Sequence, residues 1–476
     1  MRHERSQTKV IATIGPATRK REILEQIIHE GVDVCRLNFS HDTHEEHLKT
    51  ILAIRELNEE LGSHVAILAD LQGPKLRVGM MLNDSVELED GQEFEFVTTP
   101  CTGTRERAYV SYDRLPIDVK MGERILVDDG KLVFEVTGSN GTDTVTTRVM
   151  AGGPLSNKKG VNLPNTRVTL PSLTEKDMKD AQFALDHQVD WIALSFVRRE
   201  KDILGLIEIV KAHKNHAHII AKIEKPEALE ELDEIIRASD GVMVARGDLG
   251  VEVEFHKVPL IQKSIIKKCR EKSKPVIVAT QMMESMIQNP TPTRAEANDV
   301  ANAVLDGTDT VMLSGETSVG KYPVQTIRNM QKIIDSTETD DFLFYHVHPP
   351  LLQDETFLPD SICFNAVRLA EQVGATAIVS LTYSGYTAIK ISSHRPRARI
   401  YTFTMNEVMI SRLSLVWGIQ AFYFAECYNV NDYIEYTEEF LVSHNYLKKG
   451  DLVVHVGSIP IMERGKTNMM KLTRVD

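Results

Sequence analysis

The sequence predicts an α/β protein in which a (β/α)8 TIM barrel carries an inserted β-rich domain and is followed by a C-terminal α/β domain. Two observations indicate the barrel. Eight short apolar runs of strand length alternate with stretches of helical pattern, which is typical of parallel βα units. When the one long interruption of this alternation is removed, residues 1–73 and 168–337 remain, a total close to the ~250 residues of such a barrel.

The eight predicted barrel strands are short and rich in β-branched residues. They lie at residues 9–14, 32–39, 64–71, 189–196, 218–224, 240–246, 275–280 and 308–314. Helices are predicted between them. One follows the T-x-x-D pattern at Thr174, and another begins at Pro226, because proline suits the first turn of a helix.

The remaining two regions have patterns of their own. The insertion, residues 74–167, contains glycine-bounded runs that alternate apolar and polar residues, which favours a small antiparallel domain. Residues 350–476 follow a polar, proline-containing stretch and return to an α/β pattern. Strands are predicted there at residues 375–381, 398–403, 420–424 and 451–456.

Composition and charge exclude several classes of protein. A net charge of -13 argues against binding nucleic acid or anionic membranes through general positive charge. The five cysteines include no C-x-x-C pair, which indicates reduced thiols. The N-terminal residues lack the apolar core of a secretory signal, and no apolar run approaches the ~20 residues of a membrane span. We therefore expect a cytoplasmic protein that binds neither nucleic acid nor membrane.

Polar residues end nearly all the predicted barrel strands, which is where the catalytic groups of such barrels lie. They are Arg36, Asn38, Ser40, Asp70, Lys222, Glu224, Arg246, Gly247, Asp248, Thr280, Ser314 and Glu316. Any one of them could simply cap a strand that enters a loop. Taken together, they favour a functional site.

The spacing of the charged residues indicates what this site could bind. Lys222 and Glu224 are two residues apart on a strand, so their side chains face the same way. Glu224 and Asp248 end neighbouring strands and could both bind one Mg2+, which takes its other ligands from water and substrate phosphates. The alternative is that Glu224 only pairs with Lys222 or Lys225. Gly247 would let the backbone approach a ligand closely.

Several longer blocks resemble the signature sequences of the pyruvate kinase family. They are RLNFSH (36–41), AKIE (221–224), VMVARGDLGVE (242–252), ATQMMESM (279–286), PTPTRAE (290–296) and NAVLDGTDTVMLSGET (302–317). The resemblance extends through all three predicted domains. It implies a catalytic barrel (1–73 and 168–337), an inserted lid (74–167) and a C-terminal regulatory domain (350–476), and the family is as a rule a homotetramer.

The resemblance implies transfer of the phosphoryl group of phosphoenolpyruvate to ADP, giving pyruvate and ATP in the final step of glycolysis. Glu224 and Asp248 match the ligands of Mg2+ (or Mn2+). Gly247, Asp248 and Thr280 match the residues that hold the substrate carboxylate, and Thr280 also matches the start of a proton relay. Lys222 and Arg36 match the cations that contact the phosphoryl group.

The resemblance also assigns residues to the nucleotide. Arg77 and Lys159, where the chain enters and leaves the lid, match contacts to nucleotide phosphates, and Asn38 and His41 match residues near ADP. A closing lid would exclude water, which otherwise hydrolyses the phosphoryl donor.

One block departs from the family pattern at its K+ site. The commonest form reads DTKGPEIR, whereas this chain reads DLQGPKLR (70–77). The family binds K+ through residues matching Asn38, Ser40, Asp70 and Leu71. Here Lys75 replaces a glutamate, and two cations 4 Å apart repel by ~4 kcal/mol at an effective dielectric of 20. We predict that K+ is not required; the alternative is that Lys75 turns into solvent and K+ still binds.

The effector loop departs as well, because a segment that resembles TKSGRS in the family reads TYSGYT (382–387) here. The hydroxyls of Thr382, Ser384 and Thr387 and the backbone of Gly385 could bind one phosphate. The predicted effector is therefore a monophosphorylated small molecule or AMP.

Two other functions stay open from the residues. A barrel lyase that binds phosphoenolpyruvate or pyruvate would share the pair of metal-binding carboxylates but would need no lid for ADP. A catalytically silent sensor would bind metabolites through its C-terminal domain, and we would expect its barrel site to be eroded. The lid residues Arg77 and Lys159 argue against the first, and the intact strand ends argue against the second.

Overall fold

The computed structural model describes residues 6–213, 216–346, 348–424, 429–460 and 467–476. Eight parallel strands form a closed barrel in which neighbours follow chain order and the first strand pairs with the eighth. They are Lys9–Thr13, Val34–Asn38, Ala66–Asp70, Trp191–Leu194, His218–Ile223, Gly241–Ala245, Val276–Ala279 and Thr310–Leu313. Each lies within a strand predicted from the sequence, so the barrel prediction is confirmed.

Helices surround the barrel between its strands. They are Arg21–His29, His44–Leu61, Glu175–Asp186, Glu200–Ala212, Pro226–Glu230, Leu232–Ala238, Arg246–Glu252, Val258–Glu271, Arg294–Leu305, Gly315–Ser318 and Pro323–Thr337. Thr174 forms a capping box with Asp177 at the start of one of them, and Pro226 begins another, as predicted. Short 3-10 turns lie at Phe255–Lys257, Glu284–Ile287 and Asp341–Leu343.

The insertion lies between the third and fourth barrel strands. Its six-stranded sheet has the order Val161–Asn162, Arg124–Val127, Leu132–Ser139, Thr144–Ala151, Glu93–Val97, Arg107–Tyr109, and Ser85–Leu88 pairs separately with Gly153–Ser156. A short helix lies at Leu115–Asp118 and a 3-10 turn at Leu82–Asp84. The pairing is antiparallel as predicted except between Glu93–Val97 and Arg107–Tyr109, which run parallel. The rings of Phe94, Phe96 and Phe134 pack within 5.3 Å of one another in its core.

The C-terminal domain has a five-stranded sheet with the order Ile419–Tyr423, Arg399–Thr404, Ala377–Leu381, Leu452–Gly457, Met469–Arg474. The first four are parallel and were predicted. The last is antiparallel and was not. Helices Phe357–Val373, Tyr386–Ser393, Glu407–Leu413 and Val430–Ser443 flank the sheet. Among the described residues, no helix is both long and apolar enough to cross a membrane.

The C-terminal domain covers the amino end of the barrel. Leu415 is fully buried in the cluster of side chains that fills the barrel interior, and its carbonyl accepts a hydrogen bond of 2.7 Å from the Thr310 hydroxyl. Arg395, which is 1% exposed, pairs with Asp309 at 3.2 Å and donates to the carbonyl oxygen of Gly307 at 2.7 Å. The strand-end residues predicted to form the site lie at the opposite, carboxyl end of the barrel.

Candidate active site

Asp70, at the end of the third barrel strand, links two of the predicted cations. Its Oδ2 accepts a hydrogen bond of 2.7 Å from Nε of Arg36, and its Oδ1 lies 3.1 Å from Nζ of Lys222. Burial by itself would raise the pKa of Asp70, but the charges of Lys222 and Arg36 outweigh burial, and the net shift is downward. Asp70 is therefore an ionised carboxylate that fixes both cations at the strand ends.

Lys222 has three partners, which hold its ammonium group in one place. Besides Asp70, they are Glu224, whose Oε1 lies at 3.0 Å, and the Ser195 hydroxyl oxygen, which accepts a hydrogen bond of 2.7 Å. Burial lowers the pKa of Lys222, whereas Asp70 and Glu224 raise it by more, so its net shift is upward. Lys222 is thus a fixed positive charge rather than a base.

Glu224 and Asp248 lie close enough to affect each other electrostatically. Burial raises the pKa of Glu224, Lys222 lowers it, and the negative charge of Asp248 raises it again, so that the net shift is upward. Oε2 of Glu224 accepts a hydrogen bond of 2.7 Å from the amide of Phe196. A divalent cation would relieve this repulsion, and two carboxylates are a donor set that suits Mg2+. The alternative pairing of Glu224 with Lys222 is also present.

Metal binding here would depend on these two carboxylates. In the described part of the chain, His, Cys, Asp and Glu side chains form no group of three or more that could hold a metal ion. Mg2+ typically keeps several waters and takes further ligands from substrate phosphates. The residues present therefore fit a metal ion that the protein and its substrate bind jointly.

Thr280 has a backbone conformation that is rare for its residue type. Its φ is 70°, in the left-handed region, which a β-branched residue seldom adopts and which is often found at functional sites. Arg246 donates to its carbonyl oxygen at 2.7 Å, and the Gly247 amide donates to its hydroxyl at 2.7 Å. The amide predicted to meet the substrate carboxylate therefore points at Thr280 here.

The residues predicted for K+ come together around Asp70. Asn38 is its register partner on the adjacent strand, and the Asn38 side-chain oxygen accepts a hydrogen bond from the Ser40 amide at 3.1 Å. The carbonyl oxygen of Leu71, the next residue, accepts from the Ser195 hydroxyl at 2.6 Å. Lys75 contacts Asp248, with Nζ 3.7 Å from Oδ1, and its side chain is 33% exposed.

Arg77 and Lys159 lie side by side where the inserted domain joins the barrel. Arg77 bridges to Gly160 in antiparallel register, and its Nη1 donates to the carbonyl oxygen of Lys158 at 3.0 Å. Lys159 pairs with Asp128 at 2.9 Å. Both cations are partly exposed and could turn towards an anionic ligand.

Comparison with known proteins assigns the family. The family model described as pyruvate kinase, barrel domain, matches residues 5–327, and that described as pyruvate kinase, alpha/beta domain, matches residues 360–473. The chain belongs to the pyruvate kinase family. It is therefore a phosphotransferase, and family membership implies dependence on a divalent metal ion.

Similar proteins match almost the whole chain. The pyruvate kinase of Geobacillus stearothermophilus is 44% identical over 475 residues, which are 98% of this chain and 80% of that protein. That of Corynebacterium glutamicum is 43% identical over 98% of this chain and 96% of its own length. The crystal structure of a pyruvate kinase from Cryptosporidium parvum superposes with a TM-score of 0.93 at 35% identity, covering 99% and 96% of the two chains.

The predicted effector loop forms a turn before helix Tyr386–Ser393 of this pyruvate kinase family member. The amide of Gly385, at φ 84°, donates to the Thr382 hydroxyl at 3.0 Å. The hydroxyl of Thr387 is 2.7 Å from that of Thr467. Thr382 and Thr387 are buried, whereas Ser384 is exposed. Ser384 is thus the hydroxyl of this set that already faces solvent.

His41 and two hydroxyl groups complete the description of the strand ends. His41 is exposed, and its amide donates to the carbonyl oxygen of Asn38 at 3.1 Å. Two contributing hydroxyls were missed: Ser195, at the end of the fourth strand, and Thr13, at the end of the first, which accepts from Arg36 at 2.9 Å. The strand-end rule that selected the others would also have found these two.

Proposed function

We propose that this enzyme transfers the phosphoryl group of phosphoenolpyruvate to ADP, giving pyruvate and ATP. The supporting observation is the position of Lys222. Asp70 and Glu224 contact its ammonium group, and Asp248 is close enough to affect it electrostatically. Phosphoryl transfer needs fixed positive charge where the equatorial phosphoryl oxygens lie, and catalysis consists mostly of positioning and electrostatics. A buried lysine whose pKa is raised by the two carboxylates that contact it meets that need.

The binding roles proposed here are those that the resemblance to the pyruvate kinase family implies. Arg36 and Lys222 would contact the phosphoryl group, and Thr280 with the Gly247 and Asp248 amides would hold the carboxylate of phosphoenolpyruvate. Glu224 and Asp248 would bind Mg2+ or Mn2+. When bound, such an ion neutralises charge on the phosphates that it contacts.

The nucleotide would lie between the barrel and the lid, residues 74–167. Arg77 and Lys159 would contact its phosphates, and Asn38 and His41 would lie beside it. The Gly247 amide, which donates a hydrogen bond to the Thr280 hydroxyl, would donate to the substrate carboxylate instead. The Thr280 hydroxyl would begin the proton path to enolpyruvate.

K+ is proposed not to be required. The carboxylate of Asp70, the one charged group in the predicted K+ set, already pairs with Arg36 and Lys222, so a further cation there gains little. Lys75 contacts Asp248 and supplies a positive charge inside the site.

Initial rates in K+ and in a tetraalkylammonium salt test this proposal, and we expect them to agree within about twofold, because no free monovalent cation takes part. A loss of activity of about a hundredfold without K+ would show that the proposal is wrong. In Lys75→Glu, which restores the family's commonest residue, K+ should become stimulatory.

Pyruvate formation with and without ADP, followed through a coupled dehydrogenase, tests the function itself. ADP-dependent turnover with stoichiometric ATP is the expected result. Turnover that ignores ADP would favour the lyase, and no turnover would favour the silent sensor.

Regulation and assembly are proposed by analogy with the family. The loop at residues 382–387 would bind a monophosphorylated small molecule or AMP, and the chains would form a homotetramer. An effector screen that leaves half-saturation by phosphoenolpyruvate unchanged, or light scattering that gives another mass, would contradict these two statements respectively.

A further inference from the structure

A second buried carboxylate, Glu252, lies beside the proposed site and has no role in the chemistry above. It ends helix Arg246–Glu252, and its side chain is 1% exposed. Its Oε1 accepts a hydrogen bond of 2.8 Å from Nδ2 of Asn162 and lies 2.7 Å from Nζ of Lys225. Asn162 belongs to the lid, whereas Lys225 and Glu252 belong to the barrel.

The other oxygen of this carboxylate, Oε2, is buried and has no hydrogen-bond partner within the described part of the chain. Glu252 lines a cavity of about 30 Å3 together with Lys75, Asn162, Lys225 and Asp248. A buried carboxylate that is only partly satisfied is costly to keep, so its presence calls for a reason. Its position between the lid and the barrel suggests one.

The lid contacts helix Arg246–Glu252 near both of its ends. Lys75, on the chain entering the lid, pairs with Asp248 in the first turn. Asn162, on the chain leaving the lid, bonds to Glu252 at the end. Two side-chain contacts therefore join the lid to the helix that carries Asp248.

Asn162 is also fixed within the lid. Its strand, Val161–Asn162, pairs with Arg124–Val127 in antiparallel register. Asp128 directly follows strand Arg124–Val127 and pairs at 2.9 Å with Lys159, the proposed nucleotide contact. Glu252 therefore connects, through Asn162, the part of the lid that would hold ADP to the helix that would hold the metal ion.

We propose that Glu252 is a positioning residue that, with Asn162 and Lys225, latches the lid to the helix bearing Asp248. The latch makes closure of the lid over ADP and placement of the metal-binding carboxylate a single event. This inference rests on the proposed function. It acts through Asp248 and Lys159 and touches no substrate.

The latch has a consequence for the fate of the phosphoryl group. In the proposed reaction, the bond between phosphorus and the enol oxygen breaks, and phosphorus bonds to an oxygen of the β-phosphate of ADP. If the lid is loose, a water oxygen can attack instead, and the products are pyruvate and inorganic phosphate. A broken latch should therefore raise the ratio of pyruvate to ATP above one.

The test compares Asn162→Ala, Glu252→Gln and the double variant with the unchanged enzyme. We expect KM for ADP to rise about tenfold in each single variant, because Asn162→Ala removes the hydrogen bond and Glu252→Gln removes the charge of its acceptor, while KM for phosphoenolpyruvate changes little. Inorganic phosphate should appear with pyruvate. The double variant should be no worse than the worse single variant, because both remove the same contact.

Asn157→Ala is the matched control. Asn157 is a lid asparagine whose side chain bonds within the lid, to the Met81 amide at 2.6 Å and to Asp84 at 2.8 Å. It should leave KM for ADP and the ratio of pyruvate to ATP unchanged. Thermal unfolding of every variant distinguishes a loose lid from a destabilised fold. Lys225→Met is a third variant of the latch, because it removes the cation that contacts Glu252.

The outcomes separate this inference from the proposed function. If the unchanged enzyme forms no pyruvate in the presence of ADP, the proposed function fails. If it is active but Asn162→Ala and Lys225→Met keep KM for ADP within about twofold and release no phosphate, the latch is wrong and the function stands. Additive effects in the double variant would also overturn the latch.

Discussion

Replacing Lys222 by methionine removes the cation between two buried carboxylates and keeps a side chain of similar length. Its ammonium lies 3.1 Å from Asp70 and 3.0 Å from Glu224. At an effective dielectric of about 20, each contact is worth roughly 5 kcal/mol of Coulomb attraction, much of which offsets the desolvation of the buried charges. Breaking such a network by removing one partner should lower the free energy of unfolding by ~3–5 kcal/mol.

Lys222→Met should also change the kinetics of the enzyme. We expect kcat to fall by ~10^2 to 10^3, the scale of a lost charge contact in the transition state, with a smaller change in KM for phosphoenolpyruvate. Lys222 would compete with a metal ion for Oε1 of Glu224 under the proposed function, so the Mg2+ concentration for half-maximal activity should fall. Coupled assays over a range of Mg2+ concentrations measure both quantities, and urea unfolding measures stability.

Lys268→Met is the control, since Lys268 forms an ion pair of 2.7 Å with Asp233 on the outside of the barrel. It should leave kcat within about twofold, as expected for a surface pair. Lys222→Arg keeps the charge but not the compact geometry, so it should recover stability better than kcat. A kcat for Lys222→Met within tenfold of the unchanged enzyme would refute a role in charge stabilisation.

Two further predictions concern the junction between the barrel and the C-terminal domain. Burial lowers the pKa of His394 to about 3, with His348 and Lys390 adding to the effect, so the stability it contributes is complete above its unfolded pKa of ~6.5 and is lost as the pH falls towards 3. His394→Phe should therefore flatten the fall in unfolding free energy between pH 7 and 5.5, and an unchanged slope would contradict this. Arg395→Met leaves the buried Asp309 without its cation and should cost ~3–5 kcal/mol, with the two domains melting separately in calorimetry. A single, unshifted transition would show that Arg395 does not join them.

The elements that could be predicted are those whose pattern is local. The barrel strands were found because each is an apolar run of the right length, and Asp248 and Glu224 because carboxylates at strand ends are conspicuous. Strand Met469–Arg474 was missed because it is a polar edge strand with four exposed residues among its six. Ser195 and Thr13 also lie at strand ends, but only the folded barrel shows that their hydroxyl oxygens contact Lys222 and Arg36 respectively.

Contacts between distant segments could not be predicted. The pairing of Asn162 with Glu252 joins two domains, and no spacing in the sequence links an asparagine of one to a glutamate of the other. The direction of Lys75 depends on which carboxylate the lid brings near it. Met282, Met283 and Met286 are fully buried and pack in the hydrophobic core.

Leu415 makes the C-terminal domain part of the hydrophobic core of the barrel. Because a leucine from that domain fills the amino end of the barrel interior, the catalytic domain does not complete its own hydrophobic core. A chain cut after the barrel would leave an apolar hole at its base, open to water. Deleting the domain or exchanging it for another would therefore expose apolar side chains of the barrel interior to water.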